Sequence, residues 1–460
     1  MLTYTMNEKS KIPLYEQLYR NIKTDIINGK IKSGEKLPSK RVLCTHLGIS
    51  KVTVEHAYAQ LADEGYIYSV EKSGYFAEKV FSPSDLTHTE IYYDDEKPHK
   101  YKYDISSGSI NPELFPFTVW SRLMRSVMLD YRDELVRKTQ NTGAYILRRA
   151  ICEYLLDFRG MRVTPEQIVI GAGTEYFYSI LVQYFGIQNH YAVEDPGYEK
   201  IANVYHSNGA EVTYISMDDE GIVLQELERC DANILHISPS HHFPTGIVTS
   251  ISRRRKILEW AREKTGRFII EDDYDSEFRF SGRPLPTLQS MDGGENVIYM
   301  NSFTKTMCPS MRISYMVLPR CIAKDFIIAT KMYSCPVPTF EQYTLASFIS
   351  EGYFEKHINR TKKHYRRLRD TLIDELKIQF GDNIRICGEN SGLHFLLELK
   401  TALSDDDIKE RLLRCDVKVK CLSDYFHNRE NRTGTLVVSY SGINENIIKE
   451  ICRILAECII

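Results

Sequence analysis

Between about Tyr103 and Arg320, short runs rich in β-branched residues alternate with stretches of helical periodicity, and few folds satisfy that pattern. The runs include 167–170, 191–193, 234–237, 268–270, 297–300 and 314–318. Alternation of this kind predicts βαβ units and a largely parallel sheet. Ligands of such sheets sit at the carboxyl ends of the strands. After Arg320 the pattern changes. A long charged helical stretch at about 339–376 leads into an α+β tail, with 392–399 and 435–439 as strands. That tail predicts a separate small lobe.

The chain of 460 residues is too long for one ordinary domain. Its 43% hydrophobic and 26% charged content is that of a globular protein, which excludes a mainly disordered chain. No apolar run approaches the roughly 18 residues of a membrane span. The polar start, residues 1–11, lacks the apolar core of a signal peptide. A cytoplasmic protein with no membrane partner is therefore expected. The 11 cysteines are scattered without a C-x-x-C pair, so reduced thiols are expected, and neither zinc nor dithiol chemistry.

Residues ahead of the alternating region follow a different rule. Leu14, Leu18, Ile22 and Ile26 recur every four positions, and Asn28-Gly29 is a helix stop. Ser39 is a candidate cap for a second helix ending near Leu47-Gly48. Ser50 can cap a third, carrying Val54, Ala57, Tyr58 and Leu61. Tyr66 to Val70, the turn-like Glu71-Lys72-Ser73-Gly74 and Tyr75-Phe76-Ala77 then predict a hairpin. Helix, helix, turn, helix, hairpin is a winged helix-turn-helix layout. Residues 1–80 carry 12 Lys+Arg against 9 Asp+Glu, and the remainder 47 against 53. A basic module on an acidic body is compatible with a DNA-binding head. Ser50, Lys51, Thr53 and His56 stand at the start of the third helix, Arg41 on the second and Lys72 at the wing tip. Periodicity alone leaves a small oligomerisation domain equally open. Polar residues from about 79 to 102 read as a linker.

The sequence also supplies what pyridoxal phosphate demands: a Schiff-base lysine, a carboxylate facing the pyridine nitrogen, an anion cradle and an aromatic ring. Lys305 follows the run 297–300, with Ser302 and Thr304 flanking it and Arg312 seven residues on. Hydroxyls and a guanidinium fork suit phosphate oxygens. Gly171-Ala172-Gly173-Thr174-Glu175 links a strand to a helix start, whose amides attract anions. Asp272, Asp273 and Tyr274 follow the run 268–270. In isolation, two acidic residues after a strand are more simply a solvated turn.

Longer motifs carry a resemblance. Pro13-Leu14-Tyr15-Glu16-Gln17-Leu18, the stretch Gly34 to Arg41, Leu47-Gly48-Ile49-Ser50-Lys51-Val52-Thr53-Val54 and Leu61-Ala62-Asp63-Glu64-Gly65-Tyr66 together resemble the GntR family of winged-helix regulators. The resemblance implies that Arg41, Ser50, Lys51, Thr53 and Gly74 approach DNA. Lys40 departs from the acidic residue often found there. Glu194-Asp195-Pro196-Gly197-Tyr198, the stretch Pro239 to Gly246, the stretch Ile270 to Phe278 and Ser302-Phe303-Thr304-Lys305-Thr306 match the MocR family in order and spacing. In that family a GntR-type head is fused to a fold-type I aminotransferase-like body. The implied domains are a winged helix at 11–79, a linker at 80–102, a large α/β domain at 103–320, and an interdomain helix with a small α+β domain at 321–460.

Carried over position by position, Lys305 is the Schiff-base and catalytic lysine, Asp272 pairs with the pyridinium, Tyr274 bonds the ring oxygen and Tyr198 stacks on the ring. Gly173, Thr174, Glu175, Ser302, Thr304 and Arg312 surround the phosphate. His241 and His242 carry no firm role, and His242 stands where the family often has glutamine. Two departures matter. Val437 occupies the place of the arginine that clamps a substrate carboxylate, and valine cannot bind one. Lys138 replaces a tyrosine that reaches the neighbouring subunit's phosphate. The resemblance implies a homodimeric transcription regulator that binds operator DNA and senses either pyridoxal phosphate itself, as regulators of vitamin B6 synthesis do, or a small amine forming an external aldimine. The alternative is an aminotransferase that keeps a DNA-binding head.

Overall fold

Three helices and a hairpin form the N-terminal unit, and each boundary has a local cause. Helix α1 (Leu14–Ile27) buries Leu18, Ile22 and Ile26 along one stripe. Helix α2 (Lys40–Leu47) starts where the Ser39 hydroxyl accepts the Val42 N–H, and stops at Gly48, whose φ of 68° suits glycine. Helix α3 (Lys51–Asp63) starts where the Ser50 hydroxyl accepts the Thr53 N–H at 3.1 Å. Its Val54, Ala57, Tyr58 and Leu61 meet the α1 stripe in one core. Strands β1 (Ile67–Val70) and β2 (Gly74–Ala77) close the unit as an antiparallel hairpin.

The computed structural model describes residues 2–7, 10–80, 99, 101–106, 110–282, 285–428 and 434–460. These fall into two compact units, Met1–His99 and Lys100–Ile460. Nearly all of the expected linker, 80–102, lies outside the described residues.

In the second unit, β3 (Tyr103–Asp104) precedes the main sheet. The sheet strands are β4 (Ile168–Gly171), β5 (His190–Asp195), β6 (Glu211–Asp218), β7 (Gly221–Ile222), β8 (Ile234–Ile237), β9 (Phe268–Asp272), β10 (Val297–Ser302) and β11 (Ser314–Val317). Their spatial order is β4-β11-β10-β9-β8-β5-β6-β7. Neighbours from β10 through β6 pair in parallel. The sheet is thus largely parallel, as expected, with antiparallel pairs at its two ends: β7 runs antiparallel to β6, and β11 to both β10 and β4. The connection from Ser302 to Ser314 is too short for a crossover helix, so the chain must turn back. Both faces are covered. Ile168 and Ile170 pack with Leu147, Ile151 and Leu345 on one side, while Val169 packs with Phe177 and Leu181 on the other.

The long charged stretch at 339–376 is two helices, not one. Thr339–Ser350 and Tyr353–Phe380 are separated at Gly352, which adopts φ 74° and starts the second. The small lobe is a three-stranded antiparallel sheet of β12 (Ile384–Cys387), β13 (His394–Leu399) and β15 (Thr435–Ser439), in the order β12-β13-β15. Strand β14 (Val417–Lys418) pairs in parallel with β3. One face of this sheet, through Phe395, Leu397, Leu436 and Val438, packs on Tyr365, Leu368 and Leu372 of the long helix. The other face, through His394, Leu396, Val437 and Ser439, points elsewhere, because side chains alternate across a strand.

Candidate functional site

At the carboxyl ends of β4, β5, β9 and β10 lies a cleft of about 440 Å³. All ten residues given a cofactor-binding role from the sequence line it: Gly173, Thr174, Glu175, Tyr198, Asp272, Tyr274, Ser302, Thr304, Lys305 and Arg312. Lys305 sits on the single helical turn Phe303–Thr306 directly after β10, and that turn starts where Ser302 Oγ accepts the Thr304 N–H. Burial pulls the Lys305 pKa down, and the nearby Asp275 opposes the shift. A lysine so placed is closer to the neutral, nucleophilic amine that carbonyl chemistry requires.

Asp272 and its neighbour Asp273 have distinct surroundings. Asp272 Oδ2 accepts a hydrogen bond from the Tyr178 hydroxyl at 2.6 Å, and His236 Nε2 lies 3.6 Å away. Asp272 Oδ1 is buried and has no hydrogen-bond partner among the described residues. Asp273 does not line the cleft. It is ion-paired with the buried Arg159, and its Oδ2 also accepts from the Tyr299 and Ser276 hydroxyls at 2.6 and 2.9 Å. Tyr178 and His236 are supports that the sequence reading missed. Tyr178 stands one helical turn after Thr174, on the same helix face, and that spacing was the available signal.

The anion cradle differs in detail from the expectation. Arg312 takes a left-handed φ of 51°, and its Nη2 donates to Ala172 O at 3.1 Å and to Glu175 Oε2 at 2.7 Å. Gly173 adopts φ 100°, a conformation that favours glycine, and a Cβ there would also displace the Arg312 guanidinium, whose Nη2 would lie 2.1 Å away. The Gly173 amide is already donated to Ser314 Oγ. The helix Thr174–Phe185 therefore offers the Thr174 and Glu175 amides to an anion. The Glu175 carboxylate also binds Lys200 at 2.6 Å. Burial raises its pKa, but hydrogen bonds from Lys200 and Arg312 outweigh that and hold it at about 2.

Tyr198 is 44% exposed and meets Phe243 edge-on at 5.9 Å, so it forms a lip of the cleft. The Tyr274 hydroxyl lies 3.2 Å from His241 Nδ1, which in turn donates to Asp275 at 2.9 Å. His241, Asp275 and His394 bring ligand-type atoms within 4.8 Å of one another. His394 Nε2 is engaged by the Pro244 carbonyl. His242 is buried beside Glu194, 3.5 Å away. Burial first, then His241, depress the His242 pKa to about 3, while burial raises that of Glu194 to about 8. Burial thus favours the neutral form of each. Val437 is buried against Leu396 and Tyr425. Lys138 is exposed.

On the head, Arg41, Ser50, Lys51 and Gly74 are exposed and Thr53 is half-buried. Ser50 and Thr53 hydroxyls lie 2.8 Å apart at the start of α3. Gly74 has φ 117° at the start of β2. Lys40 stacks its ammonium over the Tyr75 ring at 5.1 Å. His56, expected on the exposed start of α3, is exposed there, with its ring edge-on to Tyr15.

Comparison with known proteins gives the same division. Residues 14–76 match the bacterial regulatory proteins of the gntR family, and residues 122–455 match aminotransferase class I and II. The chain is 39% identical to an HTH-type transcriptional regulator, YdeL of Bacillus subtilis (strain 168), over 98% of this chain and 97% of that one. It is 28% identical to the rhizopine catabolism regulatory protein MocR of Rhizobium meliloti, over 97% and 93%. Its fold resembles the multiple substrate aminotransferase of Thermococcus profundus, with a TM-score of 0.70 and 23% identity over 79% of this chain and 92% of that one.

Proposed function

Because the chain belongs to the MocR family of helix-turn-helix transcription regulators, we propose that its body binds pyridoxal phosphate through Lys305 and that cofactor occupancy resets the grip of its head on operator DNA. The observation that carries this reading is Asp272 Oδ1, a buried carboxylate oxygen without a partner among the described residues, in the same cleft as Lys305. A pyridinium N–H is a group that such an oxygen would accept. When bound, the cofactor supplies an aldehyde that condenses with amines and a ring that withdraws electrons.

The chain's own residues divide the remaining work. Tyr178 and His236 hold Asp272 in orientation. Thr174 and Glu175 amides, the Ser302 and Thr304 hydroxyls and Arg312 receive the phosphate. Tyr198 covers one ring face, and Tyr274 donates to the ring oxygen. The head spans 11–79, the large domain 103–320 and the small domain 321–460. The working form is a homodimer in the cytoplasm. Its signal is the cofactor itself or an amine that condenses with it. A ligand shifts such an equilibrium only by its differential affinity for the two states. An aminotransferase reading is weaker, because Val437 leaves the usual carboxylate clamp without a guanidinium.

Borohydride reduction of the yellow protein followed by peptide mapping tests the assignment. The expected adduct is on Lys305. A protein that stays colourless with added pyridoxal phosphate, or an adduct elsewhere, contradicts it.

A further inference from the structure

The cleft holds a cation that none of the roles above uses. The segment leading out of β14 runs antiparallel to β15, with Cys421 paired to Leu436. One step along, the Val437 N–H donates to Lys420 O at 2.9 Å, so Lys420 lies directly across from Val437. Residues opposite each other in an antiparallel pair share a face of the sheet. Cys421 and Leu436 belong to the small-lobe core, so Lys420 shares the other face with Val437, Ser439 and His394. Lys420, Ser439 and His394 all line the cleft.

The other side-chain charges of the cleft are committed. Lys200 and Arg312 are both bound to Glu175. Lys420 has no carboxylate within ion-pair distance among the described residues, and its ammonium lies 5.2 Å from the centre of the Tyr425 ring. Tyr425, Phe243 and Leu393 give the cleft an apolar wall beside it. The phosphate cradle comes from the other lobe, at the starts of the helices after β4 and β10.

We infer that Lys420 is the anion-binding residue for the effector, and that the effector is a small primary amine carrying a carboxylate or similar anionic group. The positive charge missing at Val437 stands instead on the adjacent strand. This inference rests on the proposed cofactor site, since the amine end must meet the cofactor near Lys305. An ammonium is a compact point charge with three donors, whereas a guanidinium is a planar fork. Lys420 therefore selects for negative charge and reach, with little preference between carboxylate and sulfonate geometry.

The test is an absorbance titration of the cofactor-loaded full-length protein with alanine and β-alanine, each beside its acid-free counterpart, ethylamine or propylamine. Wild type is expected to prefer the better amino acid at least about tenfold over its counterpart. Lys420→Met is expected to bring that preference within about twofold while its pyridoxal phosphate affinity and colour stay unchanged. Lys420→Arg is expected to keep the preference. A preference that survives Lys420→Met, or that disappears in Lys200→Met instead, overturns the inference and leaves the cofactor site standing. So does a wild type that takes up the cofactor but treats acid and acid-free amines alike. A wild type that takes up no cofactor overturns both readings.

Discussion

The residues proposed to meet DNA lie on one short continuous stretch of the head, while those proposed to hold the cofactor are gathered in the body from distant segments. Arg41, Ser50, Lys51, Thr53 and Gly74 are set by caps and turns a few residues away. The Ser39 and Ser50 hydroxyls start the helices, and Gly74 opens the wing strand. In the body, Asp272 is held by Tyr178 and neighbours His236, and Arg312 reaches back to Ala172 and Glu175. A site of the first kind depends on local backbone. A site of the second kind depends on the sheet that brings strand ends together, and on buried polar groups that must all be satisfied.

That contrast can be broken by substitutions with unequal reach. The largest effect is expected from Asp273→Ala. It leaves Arg159 charged and unpaired in the interior, a loss of about 3–5 kcal/mol for a buried pair. Thermal unfolding should show the body transition lowered and the head transition unmoved. A shift of both together would mean that the two units unfold as one.

Next comes acid. His242 has an ordinary value of 6.5 that burial depresses to about 3, so folding favours its neutral form. Its contribution is complete above pH 6.5 and is lost as pH falls toward 3, at up to about 1.4 kcal/mol per unit. His242→Gln cannot take up a proton and should flatten the fall in body stability between pH 6 and 4. An unchanged acid profile would assign the loss to other groups, His357 among them.

Asp272→Asn is expected to weaken pyridoxal phosphate binding by about tenfold, or about 1.4 kcal/mol, because a neutral amide no longer favours a charged ring nitrogen. Body stability should barely change. Absorbance titration reads the first and melting the second. A silent Asp272→Asn would remove the carboxylate from the site. The smallest effect belongs to Ser50→Ala, about 1 kcal/mol for a lost helix cap, confined to the head. Circular dichroism melting should register it without any change in cofactor absorbance.

The same contrast explains what could be read in advance. Head boundaries were legible because caps and stops are written beside the helices they limit, as at Ser39, Gly48 and Ser50. The body's strands were legible as apolar runs buried on both faces, and the cleft residues because they follow those runs. Direction was harder. Nothing in the run at 314–318 says that β11 turns back, and that choice follows from the short connection after Ser302. Gly352 breaks a charged stretch whose periodicity looks continuous. Residues that act across the fold were least visible. Tyr178 and His236 meet Asp272 only through packing, and Lys420 meets Val437 only through strand pairing. Lys200, which also lines the cleft, is tied to Glu175.

The central claim is that the state of the body governs the head. The most direct measurement is a titration of operator DNA with cofactor-free protein, with and without added pyridoxal phosphate, at one fixed salt concentration. The account predicts a change in DNA affinity on adding the cofactor, absent in Lys305→Ala, with Arg41→Ala and Lys51→Ala removing DNA binding but leaving the yellow colour. Equal DNA affinity with and without cofactor, with no response to any amine added to the loaded protein, would contradict it.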